Sequence, residues 1–173
     1  MGSRFRYFVE GPCEAKLIKS FMYRPGIHFV EGRVEVRNLI NTKMTKAFAR
    51  TIERNTKIVI VADIDVENTS LLDDNINTLI EVSRIKREDI YLVLSVNNFE
   101  EELLYSCEGI SNIHQLFSTK GINEFKKKFI AHKDIYSKMI SVKFNIETIW
   151  SRKPTGEFEK YSNDSRFIKV KNN

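Results

Sequence analysis

Along this chain, short unbroken apolar runs alternate with longer stretches in which apolar residues return every three or four positions. RYFVE (6–10), KIVIVAD (57–63) and DIYLVLS (89–95) are continuous runs rich in Val, Ile, Leu, Phe and Tyr, as expected of strands covered on both faces. GIHFVEG (26–32) is a weaker run of the same kind, and RVEVR (33–37) alternates like an exposed edge strand. Helical patterns lie between them. Residues 15–23 set Leu17, Ile18, Phe21 and Met22 on one face, and residues 42–54 do the same with Met44, Phe48 and Ile52. Residues 68–85 offer Leu71, Leu72, Ile76, Leu79, Ile80 and Val82. Strands alternating with helices predict crossover connections and a mostly parallel sheet of four to five strands in an α/β fold.

After Ser95 the character changes. NNFEEELLYSC (97–107) reads as a further helix, the Lys-rich INEFKKKFIAHKDIYSKM (122–139) follows, and from about Phe144 the pattern is irregular, with a turn at RKPTG (152–156). No repeat or linker interrupts the chain. We therefore expect an α/β core over residues 1–110 and, within the same domain, a basic helical-to-irregular C-terminal extension over residues 111–173.

Composition narrows the class. A chain of 173 residues, 42% hydrophobic and 29% charged with seven Gly and three Pro, suits one globular domain with its own core. No apolar run approaches the roughly 20 residues a membrane span needs, so no membrane partner is expected. Arg4 and Arg6 interrupt any signal-type apolar segment, and position 6 lacks the Ser or Thr of a myristoylation pattern. Cys13 and Cys107 stand far apart, and a reduced cytoplasmic setting is the expectation. The net charge of +5 is uneven: residues 1–119 carry 15 Lys/Arg against 17 Asp/Glu, whereas residues 120–173 carry 13 against 6. That division suits a polyanion held near clustered carboxylates, or simply a solvated basic surface.

The candidate chemistry lies at the strand ends, where open parallel sheets bind ligands. The first strand ends at Glu10, the third at Asp63 with Asp65 two residues on, and the fourth at Ser95 just before Asn97, Asn98 and Glu100. Glu10, Glu14, Asp63, Asp65 and Glu100 would be too repulsive to stand together unpaired, and must raise one another's pKa or recruit a cation. Oxygen donors without His or Cys suit a hard ion, Mg²⁺ or Mn²⁺. The gap from Glu10 to Glu14 is one helical turn, so Glu14 can point back toward Glu10. Each piece has a plainer reading too: Asp-x-Asp as a helix cap, Glu14 as a first-turn residue favoured by the helix dipole, and FEEELL as an acidic helix face.

FVEGPCEAKLI followed by IVIVADIDVEN resembles the Toprim domain, a Rossmann-like fold shared by topoisomerases, primases, small nucleases and the OLD (overcoming lysogenization defect) nucleases. Glu10-Gly11 matches that family's glutamate after the first strand, and Asp63 with Asp65 matches its Asp-x-Asp after the third. The Glu14 repeat, with Phe99, Glu100, Leu103 and Leu104, is similar to the OLD and RloB-like proteins of phage defence, in which a further acidic ligand follows the fourth strand. Ser95 falls near a serine used in some OLD sites. The resemblance covers about residues 5–105. It implies a catalytic lysine further on, from Lys120 or the run Lys126–Lys128, with Lys127 carried forward as the candidate. The sequence departs from the family where Glu102 replaces a tryptophan and where Val66-Glu67-Asn68 follows Asp65 without the glycine of topoisomerases and primases. No ATPase segment precedes the Toprim-like part.

The resemblance implies a metal-dependent nuclease acting on DNA or RNA, an effector of phage defence or a toxin. Glu10, Asp63, Asp65 and a lysine would be catalytic, and Glu10, Glu14, Asp63, Asp65 and Glu100 would hold Mg²⁺ or Mn²⁺. It also admits as partners a separate ABC- or OLD-type ATPase and further copies of the chain. The alternative is a non-catalytic regulatory subunit of such an ATPase. A phosphoacceptor receiver domain also gathers acidic groups at strand ends, but FVEGPCE fits its pattern poorly. The basic tail, with Tyr136, Trp150, Arg152, Lys153 and Tyr161, offers a track for nucleic acid, although Trp150 reads better as core packing. His28, His114, His132 and Cys107 show no ligand or catalytic spacing.

Overall fold

The computed structural model describes residues 4–65 and 68–171. Its strands are β1 (Arg4–Val9), β2 (Ile27–Phe29), β3 (Gly32–Val36), β4 (Thr56–Asp63), β5 (Ile90–Ser95) and β6 (Lys169–Lys171). Four of them form one sheet in the order β3-β1-β4-β5, with every neighbouring pair parallel. The fold is thus α/β with a four-stranded parallel sheet flanked by helices. The chain steps from β1 outward to β3, then returns to the other side of β1 for β4. The order reverses between β1 and β4, and the carboxyl ends of those two strands form the switch-point crevice.

The unbroken apolar runs are strands because both faces of the sheet are covered. In β4, Val59 and Val61 enter one apolar cluster while Ile58, Ile60 and Ala62 enter the other. Helix α1 (Pro12–Phe21) covers the first face with Leu17, Ile18 and Phe21. Helices α2 (Lys46–Ala49) and α3 (Ser70–Glu81) cover the second with Ala49, Leu72, Ile76 and Leu79. RVEVR is the edge strand β3, as its alternation predicts.

Two expectations change. GIHFVEG does not join the main sheet, since Ile27–Phe29 pairs antiparallel with Lys169–Lys171 in a separate two-stranded ribbon. The helix expected over residues 42–54 shrinks to Lys46–Ala49. Asn75, fully buried on α3, holds the preceding segment in a non-helical path. Its Oδ1 accepts from Met44 N at 2.6 Å, and its Nδ2 donates to Leu39 O and Thr42 O at 2.7 and 2.9 Å.

Beyond β5 come α4 (Phe99–Tyr105), α5 (Ile122–Ala131) and α6 (Ile135–Ser141), with 3-10 turns between and after them. Phe99, Phe125 and Phe129 interlock at ring distances of 5.6–5.8 Å and are almost fully buried. Each such side chain contributes about 1.5–3 kcal/mol by burial. They hold α5 beside α4 and so fix where the Lys-rich face lies.

Candidate functional site

Three strand ends deliver carboxylates and their supports to the switch point. Glu10 follows β1 directly, and its N–H donates to Val61 O at 3.0 Å, so it continues the β1–β4 ladder. Its Oε2 accepts from Asp63 N at 2.9 Å, which locks the two residues of the predicted pair side by side. On the outer side of β4, Ile64 N donates to Ser95 O at 3.1 Å. Pro12 then starts α1 at the position where a missing N–H costs nothing, and this places Glu14 in the first turn. The Glu14 carboxylate lies against Gly11, where an added Cβ would stand 3.0 Å from Oε2. A side chain at position 11 would therefore crowd that carboxylate.

Glu14, Asp63 and Glu100 are buried, while Asp65 is exposed. Burial, then the charge of Glu14, pushes Asp63 up to about 8, against the help of the Ser95 hydroxyl and the Phe99 amide. Burial, then the charges of Glu10 and Glu100, pushes Glu14 up to about 7. Glu10 is also raised by burial, with the nearby charge of Asp65 adding to it. The Cys13 thiol among them is pushed up to about 12 by burial and by Glu14 and Glu100, and is inert as a nucleophile. Among the described residues, the buried carboxylate oxygen Asp63 Oδ1 has no hydrogen-bond partner. One cation answers this cluster from within the chain: Lys126 Nζ lies 3.2 Å from Glu100 Oε1 and pairs with it. Partial burial disfavours its charged form, but Glu100, with Cys13 and Glu14 adding, raises its pKa overall.

All five acidic candidates therefore lie at one sheet edge and couple electrostatically. Among the described residues, however, no group of three His, Cys, Asp or Glu side chains stands arranged to hold a metal ion. What fits a hard cation is the donor set itself, made of oxygens alone, with Asp63 Oδ1 buried and without a partner among the described residues. Val66 and Glu67 of the ADIDVEN stretch lie outside the described residues. Of the lysine run, Lys126 reaches the cluster, Lys128 pairs with Glu124 at 2.9 Å, and Lys127 is exposed.

Glu102 has a role that sequence reasoning missed. It is fully buried beside the site. Its Oε1 accepts from Val96 N at 3.0 Å and Arg152 Nε at 2.8 Å, and its Oε2 accepts from Trp150 N at 3.1 Å. Trp150 is buried as expected, and its Nε1 donates to Ser95 Oγ at 3.1 Å. Glu102 thus pins the C-terminal segment over the end of β5. Much of the supposed nucleic-acid track is engaged structurally. Arg152 serves Glu102, Tyr161 OH bonds Asp73, and Tyr136 packs at a tilt against Phe21 with ring centroids 5.0 Å apart. His28, His114 and His132 bond locally with Gly26, Thr119 and Asp134, and the His132 ring also packs against Phe117 at 5.3 Å.

Two concavities lie away from this edge. One, of about 650 Å³, sits at the amino ends of β1, β3 and β4, and its Arg4, Arg6 and Arg33 are already ion-paired with Glu53 and Glu35. The other, of about 380 Å³, lies beside β6. The second is lined by Glu147, Arg166, Lys169 and Lys171, a mixed and mostly basic set rather than a carboxylate cluster. No protein-family model, curated protein or solved structure matches the chain.

Proposed function

We propose that the chain is a metal-dependent phosphodiesterase acting on DNA or RNA, a Toprim-like nuclease of the kind found in OLD-type and RloB-like phage-defence systems. The observation that carries this reading is the buried carboxylate oxygen Asp63 Oδ1, without a hydrogen-bond partner among the described residues, beside buried Glu14 and Glu100 at the switch point of a parallel sheet. Buried polar atoms are nearly always satisfied, and a divalent cation would satisfy Asp63 Oδ1 while offsetting the repulsion that raises Asp63 and Glu14. Glu10, Glu14, Asp63, Asp65 and Glu100 are the residues that would hold Mg²⁺ or Mn²⁺. Such an ion supplies Lewis acidity and lowers the pKa of bound water. The chain's own part is positioning. Asp63 N–H orients Glu10, and Ser95 braces the buried end of β4. Lys126 takes the role of the basic residue that meets phosphate charge.

The test incubates purified protein with labelled single- and double-stranded DNA and RNA in Mg²⁺ or Mn²⁺, and in parallel with EDTA. Cleavage that EDTA abolishes, and that Asp63→Asn and Glu10→Gln each lower at least about a hundredfold, is the expected result. No cleavage by the wild type, or equal cleavage by both variants, removes the nuclease reading and leaves the regulatory one.

A further inference from the structure

Residues 33–57, which form the β3 edge and the α2 region, carry seven Lys/Arg against two Asp/Glu. The charge balance of the first 119 residues hides this basic block. Lys43, Lys46, Arg50 and Arg54 within it are exposed. At its inner end stands Arg37, the residue after β3. Its N–H donates to Val9 O at 2.8 Å, which anchors it at the carboxyl end of β1, immediately before Glu10. The next residue, Asn38, stands close enough to favour the charged form of Glu10. The Arg37 guanidinium lies over the Phe48 ring, 3.7 Å from its centroid. Its Nε is buried and unpartnered, and no carboxylate of the described residues pairs with it. The contrast with nearby Arg6 is direct, since Arg6 lies over the same ring but is held by Glu35 at 2.6 Å.

We infer that Arg37 is a phosphate-binding residue, and that the nucleic-acid backbone enters along the β3–α2 edge rather than along the C-terminal tail. A guanidinium held over an aromatic ring keeps its rotamer fixed, and its two terminal N–H₂ groups, which are not buried, remain available for two phosphate oxygens. The cations at 43–54 continue the positive strip away from the carboxylates, so a strand gripped by Arg37 leads toward Glu10. This inference rests on the nuclease reading for its substrate class, but binding and cleavage are measured separately.

The experiment measures fluorescence anisotropy of labelled single-stranded and duplex DNA and RNA oligonucleotides in EDTA, over a range of KCl, with wild type, Arg37→Gln, Arg37→Lys and Lys153→Gln. For Arg37→Gln, affinity is expected to fall about three- to tenfold, and the slope of log K against log salt to shrink by about one. Lys153→Gln, on the tail, should change affinity less than about twofold. Thermal melting reports whether each variant folds. If Arg37→Gln does not, Arg37→Lys decides, with an expected loss of about two- to fivefold and an unchanged salt slope. Wild-type affinity in the deciding variant overturns the inference, as does a wild type that binds no oligonucleotide. Arg37-dependent binding without metal-dependent cleavage supports the inference while removing the nuclease reading. Cleavage with Arg37-independent binding does the reverse.

Discussion

Raising the pH should loosen this protein, and a divalent cation should restore it. Asp63 and Glu14 are pushed up to about 8 and about 7 from ordinary values of 3.8 and 4.5. A carboxyl whose pKa is higher in the folded than in the unfolded state binds more protons when folded. Its contribution to stability is full below the unfolded pKa and is lost as pH climbs through the folded one. The window here runs from about pH 4 to 8. Between pH 6 and 8, a group titrating at 8 loses about 2 kcal/mol, and one at 7 loses about 1 kcal/mol. Because each charge raises the other, the two costs overlap. A net loss of about 2–3 kcal/mol follows, or about 5–10 °C in Tm for a chain of this length. Thermal unfolding by circular dichroism in EDTA at pH 6, 7 and 8 measures it against Asp63→Asn, which lacks the larger titration and should show less than half the decline. Equal declines in wild type and Asp63→Asn refute the argument. Millimolar Mg²⁺ or Mn²⁺ at pH 8 should raise the wild-type Tm and leave Asp63→Asn nearly unmoved. Failure of that second comparison removes the cation site without touching the pH argument.

Two further outcomes test the scaffold. Glu102→Ala strands the Arg152 guanidinium and two backbone N–H groups, and urea unfolding should show about 3–5 kcal/mol of lost stability; a loss under about 1 kcal/mol means the C-terminal segment is anchored otherwise. At Gly32, opposite Phe5 in the edge pairing, an added Cβ would come 2.7 Å from Phe5 O and 2.8 Å from Phe5 Cβ. Gly32→Ala should therefore cost about 1–3 kcal/mol by the same measurement, and a neutral result would show that β3 shifts freely at the sheet edge.

The sheet was legible because its signals are local. Each of the three unbroken runs had to be covered on both faces, and the alternation of RVEVR could only be an edge. The carboxylates at 10 and 63 were legible for the same reason: a strand's final residue is fixed once the strand is. What failed depended on distant partners. Residues 42–45 carry a fair helical pattern, but Asn75, more than thirty positions on, draws Met44 N and the Leu39 and Thr42 carbonyls to itself. IHF found its partner at Lys169–Lys171, a pairing that no local window contains.

The site shows where helical geometry could have said more. FEEELL presents three glutamates in a row, each turned about 100° from the last, and so each met a different environment. Glu100 turned toward the carboxylate edge, Glu101 toward solvent and the Asn97 and Asn98 side chains, and Glu102 into the core. The lysine run obeys the same rotation. Phe125 and Phe129, four apart, define the buried face of α5. On a wheel of about 100° per residue, Lys126 and Lys128 flank that face while Lys127 points opposite to it. The apolar pair was visible in the sequence, and it separates Lys127 from the two flanking lysines without any structure. Only the tertiary packing of Phe129 on Phe99 chooses between those two. It sets α5 beside α4 so that the Lys126 flank meets Glu100, while Lys128 is left to its own helix and to Phe117 O.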